Sequence, residues 1–449
     1  MGRLFGTDGA RGVANKELTC ELAMKIGRAA AMVLIDSEHT HPKVLIGADT
    51  RLSGDMLQSA LAAGLCSVGA DVLILGVVPT PAVAYLVKEY QYDAGIMISA
   101  SHNPYEYNGI KIFRSDGFKL PDAVEEEIEA IILDEVQIPP VKVGKDVGRV
   151  TFAEDAAKDY INHILCTTGY RYNGMKVALD CANGSASTTA EKLFTYLGCN
   201  VAVLSAEPDG TNINDNCGST HIENLQAYVR EHECDAGFAF DGDADRLIAV
   251  DENGNVVDGD KIIALCALDM KKNGRLNADT AVVTVMSNMG FFQFADQEGI
   301  HCEKTKVGDR YVLENMLANG YNIGGEQSGH VIFLDYATTG DGELTAVQIL
   351  KAMKRSGKKL SELASVMEVF PQVLINVRVS KIGKVRFADD EEIKLAIERA
   401  ERELGDTGRV LVRVSGTEPL VRVMLEGRDI TQIQRLGEEI AEVVRERLI

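Results

Sequence analysis

Long apolar runs are missing from this 449-residue chain: none approaches the roughly 18 to 20 residues that a membrane-spanning helix needs. The first residues, Met1 to Gly6, also lack the apolar segment of a secretory signal peptide. The nine cysteines are scattered singly, without a CxxC pair, which argues against a disulfide framework and a structural zinc site. We therefore expect a soluble cytoplasmic protein with reduced, mostly buried thiols.

Positive charge is scarce as well. The chain has 46 lysines and arginines against 67 aspartates and glutamates, a formal net charge of −21. Such a charge repels polyanions, so nucleic acid is not an expected partner. Because there is no low-complexity tract and no block of five like charges, disorder is not expected beyond the termini. A small anionic substrate would need local clusters of arginine and lysine.

The length of the chain and a repeated pattern predict several domains. Single hydrophobic cores stop growing near about 250 to 300 residues. A strand–helix–strand pattern starts at Val44, recurs at Val177 and recurs more loosely at Ala281, and a smaller α+β pattern follows from about residue 372. We predict an α/β protein with three repeated mixed α/β domains and a C-terminal α+β domain around a central cleft. The predicted domains are residues 1–154, 155–256, 257–370 and 371–449.

Each repeat leads to a short strand that ends in a polar loop. The sequence SASHNP (99–104) follows one such strand, DGDADR (241–246) follows a second, and GEQSGH (325–330) belongs to the third. The first two strands begin alike, with Asp-Ala-Gly at Asp93 and at Asp235. Because ligands of open α/β sheets bind beyond the carboxyl ends of the strands, we expect the three loops to converge on one cleft.

The second loop has the chemistry of a metal site. Asp241, Asp243 and Asp245 alternate along the chain, and three hard oxygen donors repel one another unless a cation such as Mg²⁺ lies between them. The alternative is a solvated acidic turn, while the spacing excludes an EF-hand. The preceding apolar strand and the adjacent Arg246 favour the metal site.

The first loop allows three interpretations. Pro104 restrains Asn103 to an extended conformation, so SASHNP is compatible with a simple turn. A serine-hydrolase nucleophile is a second interpretation, but no G-x-S-x-G elbow surrounds the serines. A phosphorylated serine that faces the aspartates fits better, because its phosphate supplies a metal ligand.

Two further motifs offer groups that bind a phosphosugar. Arg413 to Pro419, RVSGTEP, with Arg422 after it, combines hydroxyls, a glycine turn and two guanidiniums, which suits a phosphate monoester as well as an exposed hairpin turn. In GEQSGH, Glu326 and Ser328 are the better candidates for sugar contact, whereas a lone histidine such as His330 is more often structural.

With these four motifs in this order, and with the opening segment Leu4 to Gly12, the chain resembles the α-D-phosphohexomutases along its whole length. Gln327 and the segment 307–312 resemble the branch that acts on glucosamine phosphates more than the phosphomannomutase/phosphoglucomutase branch. The resemblance implies an isomerase, an intramolecular phosphotransferase that interconverts glucosamine 6-phosphate and glucosamine 1-phosphate and so supplies UDP-N-acetylglucosamine synthesis.

The resemblance also implies a role for each matching residue. Ser101 would carry the phosphoryl group and complete, with Asp241, Asp243 and Asp245, the site of one Mg²⁺ per subunit. Arg11 and Lys111 would lie near Ser101, Lys111 as a proton-transfer or charge-stabilising group. The substrate-binding residues would be Arg246, Glu326, Ser328, Arg413, Ser415, Gly416, Thr417 and Arg422. A hexosamine 1,6-bisphosphate would be the activator and intermediate, and relatives that are often dimers suggest a homodimer.

Two rival functions make different predictions. A phosphatase with the same metal chemistry would release phosphate, whereas a mutase isomerises its substrate with little release. A non-enzymatic sugar-phosphate sensor would not require Ser101 or the three aspartates.

Overall fold

The computed structural model of the chain describes residues 3–6, 8–34, 41–137, 139–415 and 419–449. Its contacts divide the chain into two compact units. The first unit is Met1–Met286 with Ile300–Val366, and the second is Ser287–Gly299 with Met367–Ile449. The division into four domains at residues 154, 256 and 370 remains a prediction.

The first unit begins with a seven-stranded sheet of order β1-β2-β6-β5-β3-β4-β7. Its strands are β1 (Phe5–Gly6), β2 (Gly9–Val13), β3 (Lys43–Ala48), β4 (Asp71–Val77), β5 (Ala94–Ile98), β6 (Tyr107–Arg114) and β7 (Val150–Phe152). Its helices are α1 (Cys20–Leu34), α2 (Gly54–Ser67), α3 (Thr80–Glu89) and α4 (Asp122–Leu133). Ile26, Leu61 and Ile128 from three of these helices share one buried core with Ile46 and Ile96 of the sheet.

Two smaller sheets complete the first unit. The second, of order β12-β11-β10-β8-β9, contains β8 (Lys176–Asp180), β9 (Asn200–Leu204), β10 (Ala236–Phe240), β11 (Leu247–Asp251) and β12 (Val256–Val257), with helices α5 (Ala156–Cys166), α6 (Ala190–Tyr196) and α7 (Glu223–Glu231). The third, of order β14-β13-β15-β16, contains β13 (Thr280–Thr284), β14 (His301–Thr305), β15 (Ile323–Gly325) and β16 (Val331–Phe333), with helices α8 (Gly259–Lys272), α10 (Asp309–Asn319), α11 (Gly342–Ser356) and α12 (Leu360–Ala364). The helix between β13 and β14, α9 (Met289–Gln297), belongs to the second unit.

The three sheets share one strand arrangement. The sets β4-β3-β5-β6, β9-β8-β10-β11 and β14-β13-β15-β16 have the same order, with three parallel strands and a fourth antiparallel to its neighbour. SASHNP joins β5 to β6, DGDADR joins β10 to β11, and the loop after Gly325 joins β15 to β16. The predicted α/β class and its threefold repeat are confirmed.

The shared Asp-Ala-Gly sequence has a structural reason. Asp93 and Asp235 each precede the third strand of their repeat, and each carboxylate accepts a backbone N–H from the first residue of the neighbouring strand. These bonds join Asp93 to Lys43 and Asp235 to Lys176, both over 2.8 Å. The aspartate thereby ties the start of the first strand to the start of the third.

The glycine of the same sequence lets a helix approach the sheet closely. A Cβ atom at Gly237 would lie 2.7 Å from Val229 Cγ2 on α7, and one at Gly95 would lie 3.1 Å from Val83 Cγ1 on α3. A larger residue at either position would push the helix away, because packed interiors do not accept an extra methyl group without movement.

The second unit contains a three-stranded antiparallel sheet of order β17-β19-β18. Its strands are β17 (Gln372–Arg378), β18 (Gly408–Val414) and β19 (Leu420–Gly427), and its other helices are α13 (Lys381–Arg386), α14 (Glu391–Leu404) and α15 (Ile430–Leu448). Val421 and Val423 of the sheet pack in one core with Ile433 and Ile440 of α15. This arrangement confirms the α+β pattern predicted after residue 372.

No helix in the described part of the chain is both long and apolar enough to cross a membrane. All nine cysteines are free thiols, five of them buried.

Candidate active site

Ser101 and Asp241, which lie 140 residues apart in the first unit, are joined by a hydrogen bond. The Ser101 Oγ donates to Asp241 Oδ2 over 2.6 Å, and both residues are fully buried. On the side of the third sheet, His330 Nδ1 lies 3.8 Å from Asp245 Oδ2. The structure thus brings together the three loops that the sequence predicts to converge.

The backbone of Ser101 is held in an unusual conformation. Its φ angle is +53°, in the left-handed region, which costs a residue other than glycine roughly 1–2 kcal/mol. Its N–H donates to Ser99 Oγ over 3.0 Å, and the Ser99 hydroxyl donates to Asp49 Oδ2 over 2.6 Å. These contacts help to hold the hydroxyl of Ser101 toward the aspartates.

The three aspartates of DGDADR form a buried cluster that can hold a metal ion. One ligand atom from each of Asp241, Asp243 and Asp245 lies within 4.8 Å of the others. Among the described residues, Asp243 Oδ1 and Asp245 Oδ1 have no hydrogen-bond partner, although both are buried. Buried carboxylate oxygens without partners are costly, and a cluster of three buried carboxylates suits a hard cation such as Mg²⁺. Burial, followed by the charges of Asp245 and Asp243, raises the pKa of Asp241 well above its usual range.

Lys111 on β6 places one cation against this cluster. Its Nζ lies 2.8 Å from Asp243 Oδ2, 3.3 Å from Asp245 Oδ2 and 3.0 Å from Asp8 Oδ2. Burial favours the neutral amine, but the charges of Asp243, Asp8 and Asp245 outweigh it and hold the pKa of Lys111 well above its usual range. Lys111 is therefore a buried ammonium, suited to charge stabilisation. Thr80 Oγ1 also donates to Asp243 Oδ2, over 2.6 Å.

A chain of alternating charges continues from Lys111 to the third sheet. Lys119 Nζ donates to Asp8 Oδ1 over 2.7 Å and to Asp309 Oδ2 over 2.5 Å. Asp309 Oδ2 lies 3.6 Å from His330 Nε2, which accepts the N–H of Gly340 over 3.1 Å. The imidazole proton is accordingly on Nδ1, facing Asp245.

Sequence reasoning missed three residues of this row of alternating charges. Asp8 lies inside the opening segment and Asp309 inside the segment 307–312, so two quoted motifs contain them. Lys119 follows β6, where it forms an isolated β-bridge with Phe113, and it carries no sequence signal that distinguishes it from an exposed lysine.

Two arginines and a histidine flank Ser101 and the aspartates. Arg11 pairs with Asp8, and the N–H of Arg246 donates to Asp241 Oδ1 over 3.2 Å. His102 Nδ1 lies 3.4 Å from Ser101 Oγ. Burial, with help from the charges of Arg246 and Arg11, lowers the pKa of His102 to about 4, so its imidazole is neutral near pH 7.

Two residues predicted to contact the sugar, Glu326 and Ser328, lie in the loop of the third repeat. Glu326 is partly buried, with Oε1 accepting the N–H of Gly308 over 2.9 Å, and Ser328 is exposed. Gln327 is held aside, because its Nε2 donates to Asp258 Oδ2 over 3.2 Å. His330 is buried within the charge chain described above.

The remaining predicted residues lie in the second unit. Arg413 on β18 is directly opposite Arg422 on β19, and burial together with the charge of Arg422 lowers the pKa of Arg413. Like charges placed opposite each other across a sheet repel, and an anion between them would remove that repulsion. Ser415 directly follows β18, and its N–H donates to Leu420 O over 2.8 Å. Gly416 and Thr417 lie outside the described residues.

Comparison with known families gives four matches that together span most of the chain. They are the models of the phosphoglucomutase/phosphomannomutase α/β/α domain I at residues 2–138, domain II at 158–254, domain III at 258–370 and the C-terminal domain at 374–443.

Among curated proteins, the chain is similar to two bacterial phosphoglucosamine mutases. It is 58% identical over 448 residues to that of Acetivibrio thermocellus, and 58% identical over 449 residues to that of Ruminiclostridium cellulolyticum. Each alignment covers 100% of both chains.

Among solved structures, the fold is similar to a phosphoglucomutase/phosphomannomutase family protein from Burkholderia thailandensis. The TM-score is 0.82 at 24% identity, covering 100% of this chain and 99% of that chain. An N-acetylphosphoglucosamine mutase from Aspergillus fumigatus, in complex with GlcNAc-6P and magnesium, has a TM-score of 0.65 at 16% identity, covering 100% of this chain and 96% of that chain. At these identities the likeness concerns the fold.

Proposed function

This chain belongs to the phosphoglucomutase/phosphomannomutase family, and from that premise we propose that it interconverts glucosamine 6-phosphate and glucosamine 1-phosphate. It is an intramolecular phosphotransferase of the isomerase class. The observation that carries the proposal is the 2.6 Å hydrogen bond that places the Ser101 hydroxyl on the aspartate cluster. Relatives 58% identical over their full length support glucosamine phosphate as the substrate.

In this proposal Ser101 carries the phosphoryl group. The bond from phosphorus to Ser101 Oγ breaks as a bond to the free sugar hydroxyl forms, and the proton of that hydroxyl ends on Ser101. The sugar is then a 1,6-bisphosphate. After it reorients, the bond from its other phosphorus to the sugar oxygen breaks as a bond to Ser101 Oγ forms, and the Ser101 proton passes to that sugar oxygen. One site thereby serves both ends of the sugar.

The residues around Ser101 suit phosphoryl transfer, which depends on positioning and charge neutralisation. Asp241, Asp243 and Asp245 would hold one Mg²⁺ together with an oxygen of the phosphorylated Ser101. When bound there, Mg²⁺ supplies positive charge to the phosphoryl group in transfer. The buried ammonium of Lys111 adds a second fixed positive charge at the same place.

The substrate would be held by groups that match its chemistry. Glu326 and Ser328 offer a carboxylate and a hydroxyl to the sugar hydroxyls, and Arg11 and Arg246 offer guanidiniums near the reacting phosphate. The second unit would bind the non-reacting phosphate, since it carries two adjacent guanidiniums in a chain of net charge −21. The residues proposed for that phosphate are Arg413, Ser415, Gly416, Thr417 and Arg422.

A coupled assay tests the proposal with glucosamine 6-phosphate, Mg²⁺ and a trace of hexose 1,6-bisphosphate. We expect the wild type to form glucosamine 1-phosphate with little free phosphate, and Ser101→Ala to lose at least about 10³-fold in kcat, because nothing else carries the phosphoryl group. Ser59→Ala is the control, since that exposed hydroxyl donates to Asp55 O, one turn earlier on α2.

Glucose and mannose phosphates are assayed in parallel. A preference for glucosamine phosphate supports the proposed substrate, and a preference for either other sugar reassigns it. Net phosphate release by the wild type would indicate a phosphatase and contradict the mutase.

A further inference from the structure

The Ser101 loop, which joins β5 to β6, is bound by a buried arginine from the loop between β3 and α2. Arg51 is 3% exposed, and its Nε pairs with Asp49 Oδ2 over 2.9 Å. Its Nη2 donates to Ser101 O over 2.9 Å and to Asn103 O over 2.8 Å. Its Nη1 donates to two further backbone carbonyls of the loop, those of Pro104 and Tyr107. Every N–H of this guanidinium therefore has an acceptor, and four of the five acceptors belong to the loop or the strand that follows it.

Asn214, from the second repeat, binds the same two carbonyls. Its Nδ2 donates to Ser101 O over 2.9 Å and to Asn103 O over 3.2 Å. Gly242 of the metal loop packs at the same point, where an added Cβ would lie 2.6 Å from Ser101 O. The Ser101 carbonyl is thus held by the first repeat and the second repeat at once.

The segment that carries Arg51 is itself fastened to the second repeat. Thr50 Oγ1 donates to Asn183 O over 2.6 Å, and the N–H of Leu52 donates to Gly210 O over 2.8 Å. The loop that carries Arg51 is thus bound to the segments that follow β8 and β9, so Arg51 links the Ser101 loop to the second repeat. Asn214 belongs to the second repeat itself.

We propose that Arg51 and Asn214 form a carbonyl clamp, a pair of positioning residues that fixes Ser101 against the aspartate cluster during phosphoryl transfer. The clamp rests on the proposed function, because it has a purpose only if Ser101 accepts and returns a phosphoryl group. It touches the carbonyl side of the loop, so it leaves the hydroxyl free to react. Arginine suits this position because a planar fork of five donors binds several carbonyls together, whereas lysine has three donors on one atom.

The clamp predicts a loss of rate without a matching loss of substrate binding. In the full-length protein, Asn214→Ala removes both donors to the Ser101 loop, and we expect kcat to fall about 10- to 100-fold while KM stays within about 3-fold. Asn214→Asp keeps the shape but turns carboxylate oxygens toward two carbonyls, so its kcat should fall further. Arg51→Lys should also have a kcat below that of the wild type, because the lysine ammonium cannot reach all the carbonyls that the guanidinium binds.

Asn322→Ala is the matched control. Asn322 is also buried, and its Nδ2 likewise donates two hydrogen bonds, to Arg275 O and Asp335 Oδ2, both over 2.9 Å. A loss of packing alone would lower Tm in both variants and leave their kcat values alike. Equal kcat values for Asn214→Ala and Asn322→Ala, or a kcat within about 3-fold of wild type for Asn214→Asp, would overturn the clamp.

A second readout separates the clamp from the proposed function. The phosphorylation of Ser101 by glucose 1,6-bisphosphate is followed by intact mass in a single turnover, without any glucosamine phosphate. The clamp requires this step to slow in Asn214→Ala and not in Asn322→Ala. If the wild type took up phosphate but isomerised no glucosamine phosphate, the proposed substrate would be wrong and the slowed uptake would still support the clamp.

Discussion

At the scale of single residues, the strongest signal in this molecule is unbalanced negative charge. Asp241, Asp243 and Asp245 are buried together, while Lys111 contacts two of them and Arg246 pairs with Asp245 at 3.9 Å. The pKa of Asp241 is raised by burial and by its two neighbours, so its ionised form destabilises the metal-free fold. A carboxylate with a raised pKa adds stability at low pH that is lost as the pH rises through its folded pKa.

The first prediction follows from this imbalance. Asp241→Asn keeps the shape and removes one charge, so the metal-free variant should be at least as stable as the metal-free wild type near pH 7. Mg²⁺ at about 100 times its Kd stabilises a binding protein by about 2.7 kcal/mol, and the variant should lose most of that gain. Thermal unfolding with and without Mg²⁺ measures both effects.

The outcome that contradicts this prediction is a variant whose Tm rises with Mg²⁺ as much as that of the wild type. Asp116→Asn serves as the control, because Asp116 lies in a turn where it pairs with Arg114. That variant should keep the full response to Mg²⁺.

At the scale of elements, one carboxylate fastens the first strand to a helix. Glu129 on α4 accepts the backbone N–H groups of Arg3, Leu4 and Phe5 over 2.9, 2.6 and 2.7 Å. Burial opposes the charge, but these N–H donors outweigh it and hold the pKa of Glu129 below its usual range. The backbone N–H groups at the start of the edge strand β1 are thus bound by a side chain.

The second prediction is a pH-dependent stability. Because the pKa of Glu129 is lowered on folding, its stabilisation is present above the unfolded value of about 4.3 and is lost as the pH falls through the folded pKa. Glu129→Gln should cost about 1.5 to 3 kcal/mol near pH 7, the scale of hydrogen bonds to a charged group. The difference in free energy of unfolding between wild type and variant should become smaller below about pH 4.

Urea unfolding followed by circular dichroism at both pH values provides the measurement. Glu127→Gln, an exposed position on the same helix, should match the wild type throughout. A gap for Glu129→Gln that does not change with pH would show that the charge of Glu129 is not what holds the strand.

At the scale of the whole molecule, one segment from the middle of the chain belongs with its end. Ser287–Gly299 falls in the second unit, and Asn288 is its buried anchor. The Asn288 Nδ2 donates to Phe370 O and its Oδ1 accepts the N–H of Phe370, each over 3.0 Å, while Oδ1 also accepts the N–H of Gly290 at the start of α9. The second unit is therefore discontinuous in sequence.

The third prediction tests that discontinuity. Asn288→Ala removes a helix cap and two buried hydrogen bonds to the backbone, so it should destabilise the second unit by about 2–4 kcal/mol. Amide hydrogen exchange should speed up in β17, β18 and β19 and stay unchanged in β8 and β10. Asn322→Ala in the first unit should leave exchange in β17 to β19 unchanged, and equal effects of the two variants on those strands would contradict the assignment of the segment.

Much of this organisation could be read from the sequence. Apolar strands, turn residues and the repeated Asp-Ala-Gly opening are local patterns, so they predict the threefold repeat and the loops that follow β5, β10 and β15. The chemistry of SASHNP and DGDADR is likewise contained in a few consecutive residues. The sequence therefore sufficed for the fold class and the family, and for Ser101 and the aspartates as candidates whose roles remain proposals.

The partners of those loops were decided by tertiary structure alone. Arg51 and Asn214 meet the Ser101 carbonyl from 50 and 113 residues away, and Lys119 meets Asp309 across 190 residues. No local sequence pattern predicts these contacts, because they depend on how separate sheets pack against each other. The same reason explains α9, whose sequence continues the third repeat while its contacts place it in the second unit. Sequence determined which groups carry chemistry, and packing determined what holds them in place.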